Sequence, residues 1–250
     1  MPSDDGPRGK HAVVTGGARG IGLGIAALFA DRGLRVSVVS RSARAPHHDE
    51  RLFRVEGDVT DEAQVAAALD ACRDANGPIA VLVNNSGIAE SAPLFRTSLP
   101  MWNQIVATNL TGTFLCTRAA VEDMIVAKWG RIVNVASTAG LAGAAYLAAY
   151  CASKHGVVGF TRAIAAEFDG TGITANAVCP GYTETDMMRK AIANVSKHTG
   201  ADEHGARARL AQTNPLGRIA SVEEVAQAVF DLVAGSRNGV AIVVPGGSEA

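Results

Sequence analysis

Net charge of either sign is nearly absent from this chain. Its 23 lysine and arginine residues are balanced by 24 aspartate and glutamate residues, for a formal net charge of -1. Proteins that hold nucleic acid through its phosphates need a basic surface, so the sequence predicts no nucleic-acid partner. Apolar runs as long as the roughly 20 residues of a membrane-spanning helix are also missing. Residues 1–10 have no apolar core of the kind that a secretory signal needs, so we expect a cytoplasmic protein with no membrane partner.

Cysteine is scarce, and spacings typical of metal ligands do not occur. None of the four cysteines lies at CxxC spacing, and the six histidines form no HxH or HExxH pattern. In a long chain without a signal segment, such cysteines are expected to be reduced thiols in the core or near the site. The sequence therefore predicts no metal, and no disulfide among Cys72, Cys116, Cys151 and Cys179.

Apolar side chains are plentiful. Hydrophobic residues make up 48% of the 250 residues and charged residues 19%, which suits one large folded domain and argues against a disordered chain. We predict a disordered tail over residues 1–9 and a single domain over residues 10–250.

Short β-branched runs alternate with stretches of helical periodicity. The runs predict strands at 11–15, 35–40, 81–84, 131–136, 174–178 and 240–244, with a weaker one at 52–55. The stretches predict helices at 21–32, 61–75, 101–128, 150–168 and 221–234. Nearly continuous apolar strands alternating with helices indicate a parallel sheet that is covered on both faces. We predict an α/β fold, a single-domain doubly wound (Rossmann) sheet of about seven strands flanked by helices.

The segment from about residue 185 to 214 is more polar and has broken helical periodicity. We predict that it forms a small helical cap over the site, before the last helix. A surface helical hairpin is the alternative interpretation.

A glycine-rich turn joins the first predicted strand to the first predicted helix. Glycine here permits a tight turn, lets backbone amides approach a pyrophosphate, and lets the helix pack close to the strand. The helix N-terminus adds partial positive charge facing the phosphates. This segment, TGGARGIG at 15–22, resembles the TGxxxGxG signature of short-chain dehydrogenases/reductases. The resemblance extends over nearly the whole chain and implies that a nicotinamide dinucleotide is held by Gly16, Arg19, Gly20, Ile21 and Gly22.

Two further segments resemble the cofactor site of that family. NNSG at 84–87 is similar to the family's NNAG, which implies that Asn85, Ser86 and Gly87 lie beside the cofactor and steady the sheet. Asp58 and Val59 resemble its adenine-binding pair. For Asp58, a helix N-cap ahead of the predicted helix 61–75 is an alternative.

Tyr150 and Lys154 lie four residues apart in the predicted helix 150–168, so they share one helix face. A cation within about 4–6 Å of a phenol favours the phenolate, so we expect Lys154 to lower the pKa of Tyr150. Such a phenol can protonate an alkoxide or deprotonate an alcohol, while Ser137 stabilises charge on the carbonyl oxygen. The serine-to-tyrosine gap and the YxxxK spacing match the family's catalytic set, and the resemblance also assigns Tyr150 and Lys154 to the cofactor site.

Asparagine is a poor helix former, so Asn109 within the predicted helix 101–128 indicates a side-chain role. In the resembling family the matching asparagine distorts this helix and holds a water in a proton relay. Asn109, Ser137, Tyr150 and Lys154 are the predicted catalytic residues.

PGYTET at 180–185 resembles the family's PGxxxT, which binds the nicotinamide amide. This implies cofactor contacts at Pro180 and Gly181, from the backbone of Thr183 and from the hydroxyl of Thr185. We interpret Tyr146 and Tyr182 as walls of the substrate pocket.

An acidic residue that would select NAD is missing at the end of the second predicted strand, where Ser40 is followed by Arg41. A guanidinium binds a 2′-phosphate well, and Ser40 and Arg19 could support it. The sequence thus favours NADP(H), with NAD(H) as the alternative.

Segments 130–140, 150–163 and 171–187 are similar to 3-oxoacyl carrier-protein reductases and aromatic polyketide ketoreductases. This implies an NADPH-dependent ketoreductase of biosynthesis that reduces a ketone, with a β-keto acyl thioester, bound to a carrier protein or CoA, or a polyketide as substrate. One alternative is an alcohol or hydroxyacyl dehydrogenase acting oxidatively. Another is a non-catalytic dinucleotide-binding regulator, which would have no need of the full catalytic set. The resemblance also implies a homotetramer or homodimer.

Overall fold

Strands and helices alternate along the chain in the order that the hydrophobic pattern predicts. The computed structural model describes residues 6–42 and 49–245. In this part of the chain, seven parallel strands form one sheet in the order β3-β2-β1-β4-β5-β6-β7. The strands are β1 His11–Thr15, β2 Arg35–Ser40, β3 Leu52–Glu56, β4 Ile79–Asn84, β5 Gly130–Val135, β6 Ile173–Pro180 and β7 Ala241–Val244. The predicted doubly wound α/β fold is confirmed.

Helices cover both faces of the sheet, so strand side chains on either face are buried. Val14 packs in a cluster with the helices at 20–31 and 222–234, whereas its neighbour Val13 packs in a second cluster with the helices at 62–76, 112–127 and 148–167. This two-sided burial is why the strands read as continuous apolar runs. The helices are α1 Gly20–Asp31, α2 Glu62–Asn76, α3 Leu99–Val106, α4 Gly112–Ala127, α5 Ala148–Glu167, α6 Asp186–Thr199, α7 Glu203–Gln212 and α8 Val222–Ala234.

The strand order reverses its direction beside β1, which pairs with β2 on one side and with β4 on the other. Connections leave such a point in opposite directions and open a crevice at the carboxyl ends of the strands. The glycine turn follows β1 and the NNSG segment follows β4, so both lie at this crevice.

The predicted helix 101–128 is not continuous. A π-helical segment, Ala107–Thr111, separates α3 from α4. The apolar periodicity predicted the helix without this interruption, since it does not register one extra residue in a turn. The distortion was implied only by the family resemblance at Asn109.

The predicted cap segment forms the helical pair α6 and α7, which buries a small cluster of its own. At the other end of the chain, the Gly9 amide donates to the Gly33 carbonyl at 2.9 Å, so ordered contacts begin within the predicted tail. Residues 1–5 of that tail and residues 246–250 of the predicted domain lie outside the described residues. Among the residues that the structure describes, no helix combines the length and apolarity needed to cross a membrane.

Candidate active site

The glycine turn has the geometry that its sequence predicts. Gly16 has a φ of +66°, a left-handed conformation that favours glycine. A Cβ on Gly22 would lie 2.5 Å from the carbonyl oxygen of Gly16, so α1 can pack this close to the turn only with glycine there. Beside Gly20, by contrast, a Cβ would meet only the Thr185 side chain, at 3.4 Å.

The N-terminus of α1 is open to a ligand. Arg19 occupies the N-cap position in an extended conformation, and its side chain makes no capping hydrogen bond within the described residues. The first amides of α1 therefore keep their donors for an anion at the crevice. This uncapped N-terminus and the close glycine packing fit the pyrophosphate of a dinucleotide.

Asn85 fastens the glycine turn to the segment after β4. Its Nδ2 donates to the carbonyl oxygens of Thr15, at 3.0 Å, and Gly16, at 3.2 Å. The hydroxyl of Thr15 in turn accepts from the backbone amides of Asn85 and Ser86, at 3.0 and 3.1 Å. Four hydrogen bonds thus join the glycine turn to the segment after β4. Sequence reasoning missed Thr15, although a polar residue that ends a fully buried strand was a usable signal.

A cleft of 270 Å³ lies at the predicted adenosine end, lined by Arg41, Glu56, Gly57, Asp58 and Gln64. The Arg41 side chain is exposed there, as a phosphate ligand must be. The hydroxyl of Ser40, however, donates to the carbonyl of Ser42 at 2.8 Å, which uses its donor locally. Glu56 is a nearby acid that sequence reasoning did not weigh.

Asp58 does not cap α2, so the alternative interpretation of this residue was wrong. Its Oδ1 accepts from the amide and hydroxyl of Thr60, at 2.9 and 2.8 Å. Asp61 is the N-cap and accepts from the amides of Ala63 and Gln64. The neighbouring Val59 is buried against α4, where a Cβ on Gly112 would lie 2.8 Å from its Cγ2.

Tyr150 and Lys154 lie one turn apart on α5, beside the end of β5. The ammonium of Lys154 is 5.8 Å from the Tyr150 ring centroid and donates to the Val135 carbonyl at 2.7 Å. Ser137 follows β5 and opens a tight turn, in which a Cβ on Gly140 would lie 2.7 Å from the carbonyl oxygen of Lys154. This close contact fixes the Ser137 turn against α5, so the three predicted side chains converge.

The same three residues also lie at the crevice. A Cβ on Gly87, two residues after Asn85, would lie 3.5 Å from the Lys154 ammonium and 3.3 Å from Oδ1 of Asn109. The predicted catalytic residues and the NNSG segment are therefore parts of one site.

Burial dominates the acid–base properties of this pair. It raises the pKa of the Tyr150 phenol to about 12, against the opposing effect of a hydrogen bond with Ser137. It also lowers the pKa of the Lys154 ammonium to about 8. The net shift of the Tyr150 pKa is upward and not downward as expected, because the loss of water around the phenol dominates. That the Lys154 ammonium favours the phenolate stays a prediction.

Asn109 lies in the π-helical segment, as the expected distortion of this helix requires, and is 1% exposed. Its Oδ1 accepts from the Ile88 amide at 2.8 Å, and its Nδ2 donates to the Ile88 carbonyl and to Ser153 Oγ, both at 3.0 Å. Asn109 therefore ties three elements together: the segment after β4, the interrupted helix and α5.

The loop after β6 approaches the glycine turn. Thr185 caps α6, its side chain faces Gly20, and its hydroxyl donates to the Thr183 carbonyl at 3.1 Å. Around Thr183 the loop pairs with Ala220, using the amide of Glu184 and the carbonyl of Tyr182. The amide of Thr183 takes no part in this pairing and stays directed away from it.

The two predicted pocket tyrosines differ in their surroundings. Tyr146 is 66% exposed and has a φ of +68°, and its backbone carbonyl accepts from the Ala92 amide at 2.9 Å. Tyr182 is half-buried against the cluster between α6 and α7, and burial raises the pKa of its phenol.

The cysteines lie where the sequence predicts them. All four are free and buried, as expected of thiols in the core or near the site.

Comparison with known proteins agrees with this geometry. A family model described as short chain dehydrogenase matches residues 10–196. A cis-4-hydroxycyclohexanecarboxylate dehydrogenase of Sinomonas cyclohexanicum is 38% identical, over 96% of this chain and 97% of that protein. A 3-oxoacyl-acyl-carrier-protein reductase of Vibrio cholerae is 40% identical, over 88% of each chain. A crystal structure of actinorhodin polyketide ketoreductase with NADPH superposes with a TM-score of 0.88 at 35% identity, covering 99% of this chain and 98% of the other.

Proposed function

The chain belongs to the short-chain dehydrogenase family and is an oxidoreductase of CH–OH and C=O groups, and from this premise we propose that it is an NADPH-dependent ketoreductase. The observation that carries the proposal is the convergence of Ser137, Tyr150 and Lys154 beside the glycine turn.

Residues at two places would hold the phosphates of the dinucleotide. The amides of Gly20, Ile21 and Gly22 at the open N-terminus of α1 would bind the pyrophosphate. Arg41, supported by Arg19, would bind a 2′-phosphate at the adenosine end. When bound, a reduced nicotinamide supplies two electrons and one hydrogen to the carbonyl carbon.

Further contacts would come from the segments that meet at the crevice. Asp58 and Val59 would bind the adenine. In the 180–185 loop, the backbone of Thr183 and the hydroxyl of Thr185 would orient the nicotinamide amide. Orientation of this ring is a large part of the rate enhancement, since the reacting atoms must be held in line.

Tyr150 would deliver the proton. With a pKa of about 12 its phenol is protonated at neutral pH, and it is a stronger acid than the alcohol that forms. The Ser137 hydroxyl would donate to the same carbonyl oxygen as negative charge develops there. Lys154 would favour the phenolate that remains, because its ammonium is held beside the ring. The protonated phenol is the form that ketone reduction uses, and the phenolate is the form that alcohol oxidation uses.

Support for a β-keto acyl or polyketide substrate comes from an exposed apolar segment and from the relatives. Leu94, Phe95 and Leu99 are 74%, 83% and 69% exposed, and the Ala92 amide just before them donates to the carbonyl of Tyr146, four residues before Tyr150. Such an apolar surface suits an acyl or aromatic chain, carried on CoA or on a carrier protein. The names of the Vibrio cholerae and actinorhodin proteins point to such substrates.

Tyr146 and Tyr182 would form walls of the substrate pocket. The protein would act as a homodimer or a homotetramer.

Oxidation of a cyclic secondary alcohol is the second candidate. It is favoured by the dehydrogenase of Sinomonas cyclohexanicum, whose match spans nearly the whole chain. The same residues would serve, with Tyr150 accepting the proton as phenolate.

Absorbance at ~340 nm tests the proposal directly, with NADPH and NADH each offered β-keto thioesters, bicyclic ketones and simple ketones. Consumption of NADPH with a β-keto or polycyclic ketone is the expected result. A protein that consumes neither cofactor with any ketone, and reduces neither oxidised cofactor with the matching alcohols, would refute it.

One substitution tests the choice between NADPH and NADH. Arg41→Asp is expected to reduce the preference for NADPH over NADH by about tenfold or more, since one charge-assisted contact is lost and a repulsive charge gained. Lys128→Asp makes the same change of charge at the amino end of β5, and its preference should match that of the wild type. An unchanged preference in Arg41→Asp would contradict the assignment of NADP(H).

A further inference from the structure

Asn214, in the connection between α7 and α8, is buried although it lies in a loop. It is 4% exposed, and all the hydrogen-bonding groups of its side-chain amide are engaged. Its Oδ1 accepts from the Tyr182 amide at 2.7 Å, and its Nδ2 donates to the carbonyls of Tyr182 and Arg218, at 2.8 and 2.7 Å. A side-chain amide that bonds to both the amide and the carbonyl of one residue pairs with it as a neighbouring strand would, and it fixes the backbone of that residue.

The residue that Asn214 grips lies in the middle of the loop after β6. The Tyr182 carbonyl accepts from Asn214 and also from the Ala220 amide at 3.0 Å, so both of its lone pairs are used. Gly181 lies so close that a Cβ there would be 2.2 Å from Asn214 Oδ1. On the other side of Thr183, the Glu184 amide donates to the Ala220 carbonyl at 3.0 Å. Thr183 is thereby held from both sides while its own amide stays out of the pairing.

Asn214 is itself held firmly. Its amide donates to the Ala211 carbonyl at 3.0 Å, and its carbonyl accepts from the Gly217 amide at 2.9 Å. The end of α7 and the following turn therefore form a rigid base for the grip on Tyr182.

We propose that Asn214 is a positioning residue, which holds residues 181–185 in the conformation that binds the nicotinamide amide. The proposal rests on the proposed function, because it assigns this loop to the cofactor. Removing the side chain leaves the Tyr182 amide without a partner in a half-buried place and its carbonyl with only the Ala220 amide, so the loop would rearrange to reach water. The adenosine end of the cofactor is held by other segments, the glycine turn, β2 and the residues after β3, which Asn214 does not touch.

The consequence is selective for one end of the cofactor. Asn214→Ala should weaken binding of NADPH, whose ring needs the loop, by about tenfold. The same change should leave the affinity for 2′-phospho-ADP-ribose, which lacks the ring, within about twofold of the wild type. Isothermal titration calorimetry on the purified full chain measures both dissociation constants without any turnover. In the assay with a ketone, the KM for NADPH should rise more than the KM for the ketone.

Asn238→Ala serves as a matched control. The Asn238 side chain makes the same kind of double contact, accepting from the Ala175 amide at 3.0 Å and donating to the Ala165 carbonyl at 2.9 Å. It lies before β7, away from the 181–185 loop, so both ligands should bind as they do to the wild type. If Asn214→Ala does not fold, Asn214→Asp keeps the shape and the acceptor but loses the donors, and it should show the same selective loss.

Equal weakening of both ligands, or weakening of neither, in a folded Asn214 variant would overturn the positioning role. Failure of the proposed function would give a different result: the wild-type protein would bind neither NADPH nor NADH in the calorimeter. That result would also remove the basis of this inference.

Discussion

Lys154 is the residue at which function and stability conflict most clearly. Its ammonium is 4% exposed and donates to a carbonyl, and burial lowers its pKa from 10.5 to about 8. A depressed pKa means that the folded state binds this proton less tightly than the unfolded chain does. Folding is therefore disfavoured by roughly 3 kcal/mol below pH 8, and this cost disappears as the pH rises towards the unfolded value.

Lys154→Met should consequently make the protein more stable while stopping catalysis. We expect the free energy of unfolding at pH 7 to rise by about 1–3 kcal/mol, because a side chain of similar length is buried without charge. Above pH 10 the gain should vanish. Urea unfolding at both pH values measures this, and a variant less stable than the wild type at pH 7 would show that the buried charge is not a cost.

Side-chain roles at the residue scale were only partly predictable. The spacing of Tyr150 and Lys154 was sufficient to place them together, because four residues make one helical turn. The direction of the pKa shift on Tyr150 was not predictable, since it depends on how much water the completed fold removes from the phenol. Asn214 gave no signal either, because nothing in the sequence around it distinguishes a loop asparagine that is buried from one that is exposed.

At the scale of an element, the π-helical segment Ala107–Thr111 deserves a direct test through Asn109. Asn109→Leu keeps the volume but leaves the amide and carbonyl of the half-buried Ile88 without partners. We expect a loss of about 2–4 kcal/mol in the free energy of unfolding, together with a large loss of activity, because Gly87 and Lys154 adjoin this contact.

Thr108→Ala lies on the same segment and removes only a hydroxyl that bonds within the helix to the Gln104 carbonyl. Its stability should stay within about 0.5 kcal/mol of the wild type. Equal stability of the two variants, measured by urea unfolding, would mean that Asn109 does not hold the segment in place.

The π-helical segment also shows why one element could not be predicted from local pattern. Asn109 bonds to Ile88, 21 residues earlier, and to Ser153, 44 residues later. The apolar periodicity of residues 101–128 reports only the faces of the helix, so it predicted the helix and missed the interruption. By contrast, the turn at Gly16–Gly22 was predictable from its glycine pattern, because the close approach of Gly22 to the Gly16 carbonyl lies within the turn itself.

At the scale of the whole molecule, a buried histidine should couple folding to pH. His11 is fully buried in β1, where Nδ1 lies 2.7 Å from the Gly77 carbonyl and Nε2 lies 2.8 Å from the Ser37 hydroxyl. Burial lowers its pKa from 6.5, helped by the charge of Arg35. Below about pH 6.5 the His11 imidazole is therefore protonated in the unfolded chain, whereas it stays neutral in the folded protein until the pH reaches the lower, folded pKa.

This linkage predicts that stability is lost as the pH falls below about 6.5, by up to about 1.4 kcal/mol per pH unit from His11 alone, until the pH reaches the folded pKa. His11→Gln should lose that part of the pH dependence, since an amide does not titrate. Urea unfolding of both proteins between about pH 7.5 and 5.5 measures the difference in slope. Parallel curves would show that His11 is not the group responsible.

The overall architecture was largely predictable because the sheet is buried on both sides. Continuous apolar strands such as β1 and β4, with helices between them, leave few topologies for a parallel sheet. The cofactor choice is harder to predict from sequence because it rests on contacts at a strand end: Ser40 bonds to Ser42, and Glu56 shares the cleft with Arg41.

The central claim is that Tyr150 gives its proton to the substrate oxygen at a site that binds the cofactor by other contacts. The most direct measurement is steady-state reduction of a ketone by Tyr150→Phe, combined with calorimetric binding of NADPH to the same protein. We predict a fall in kcat of about 10²–10⁴-fold, the range for a lost general acid, with a dissociation constant for NADPH within about threefold of the wild type. Turnover close to that of the wild type in a variant that still binds NADPH would contradict the account.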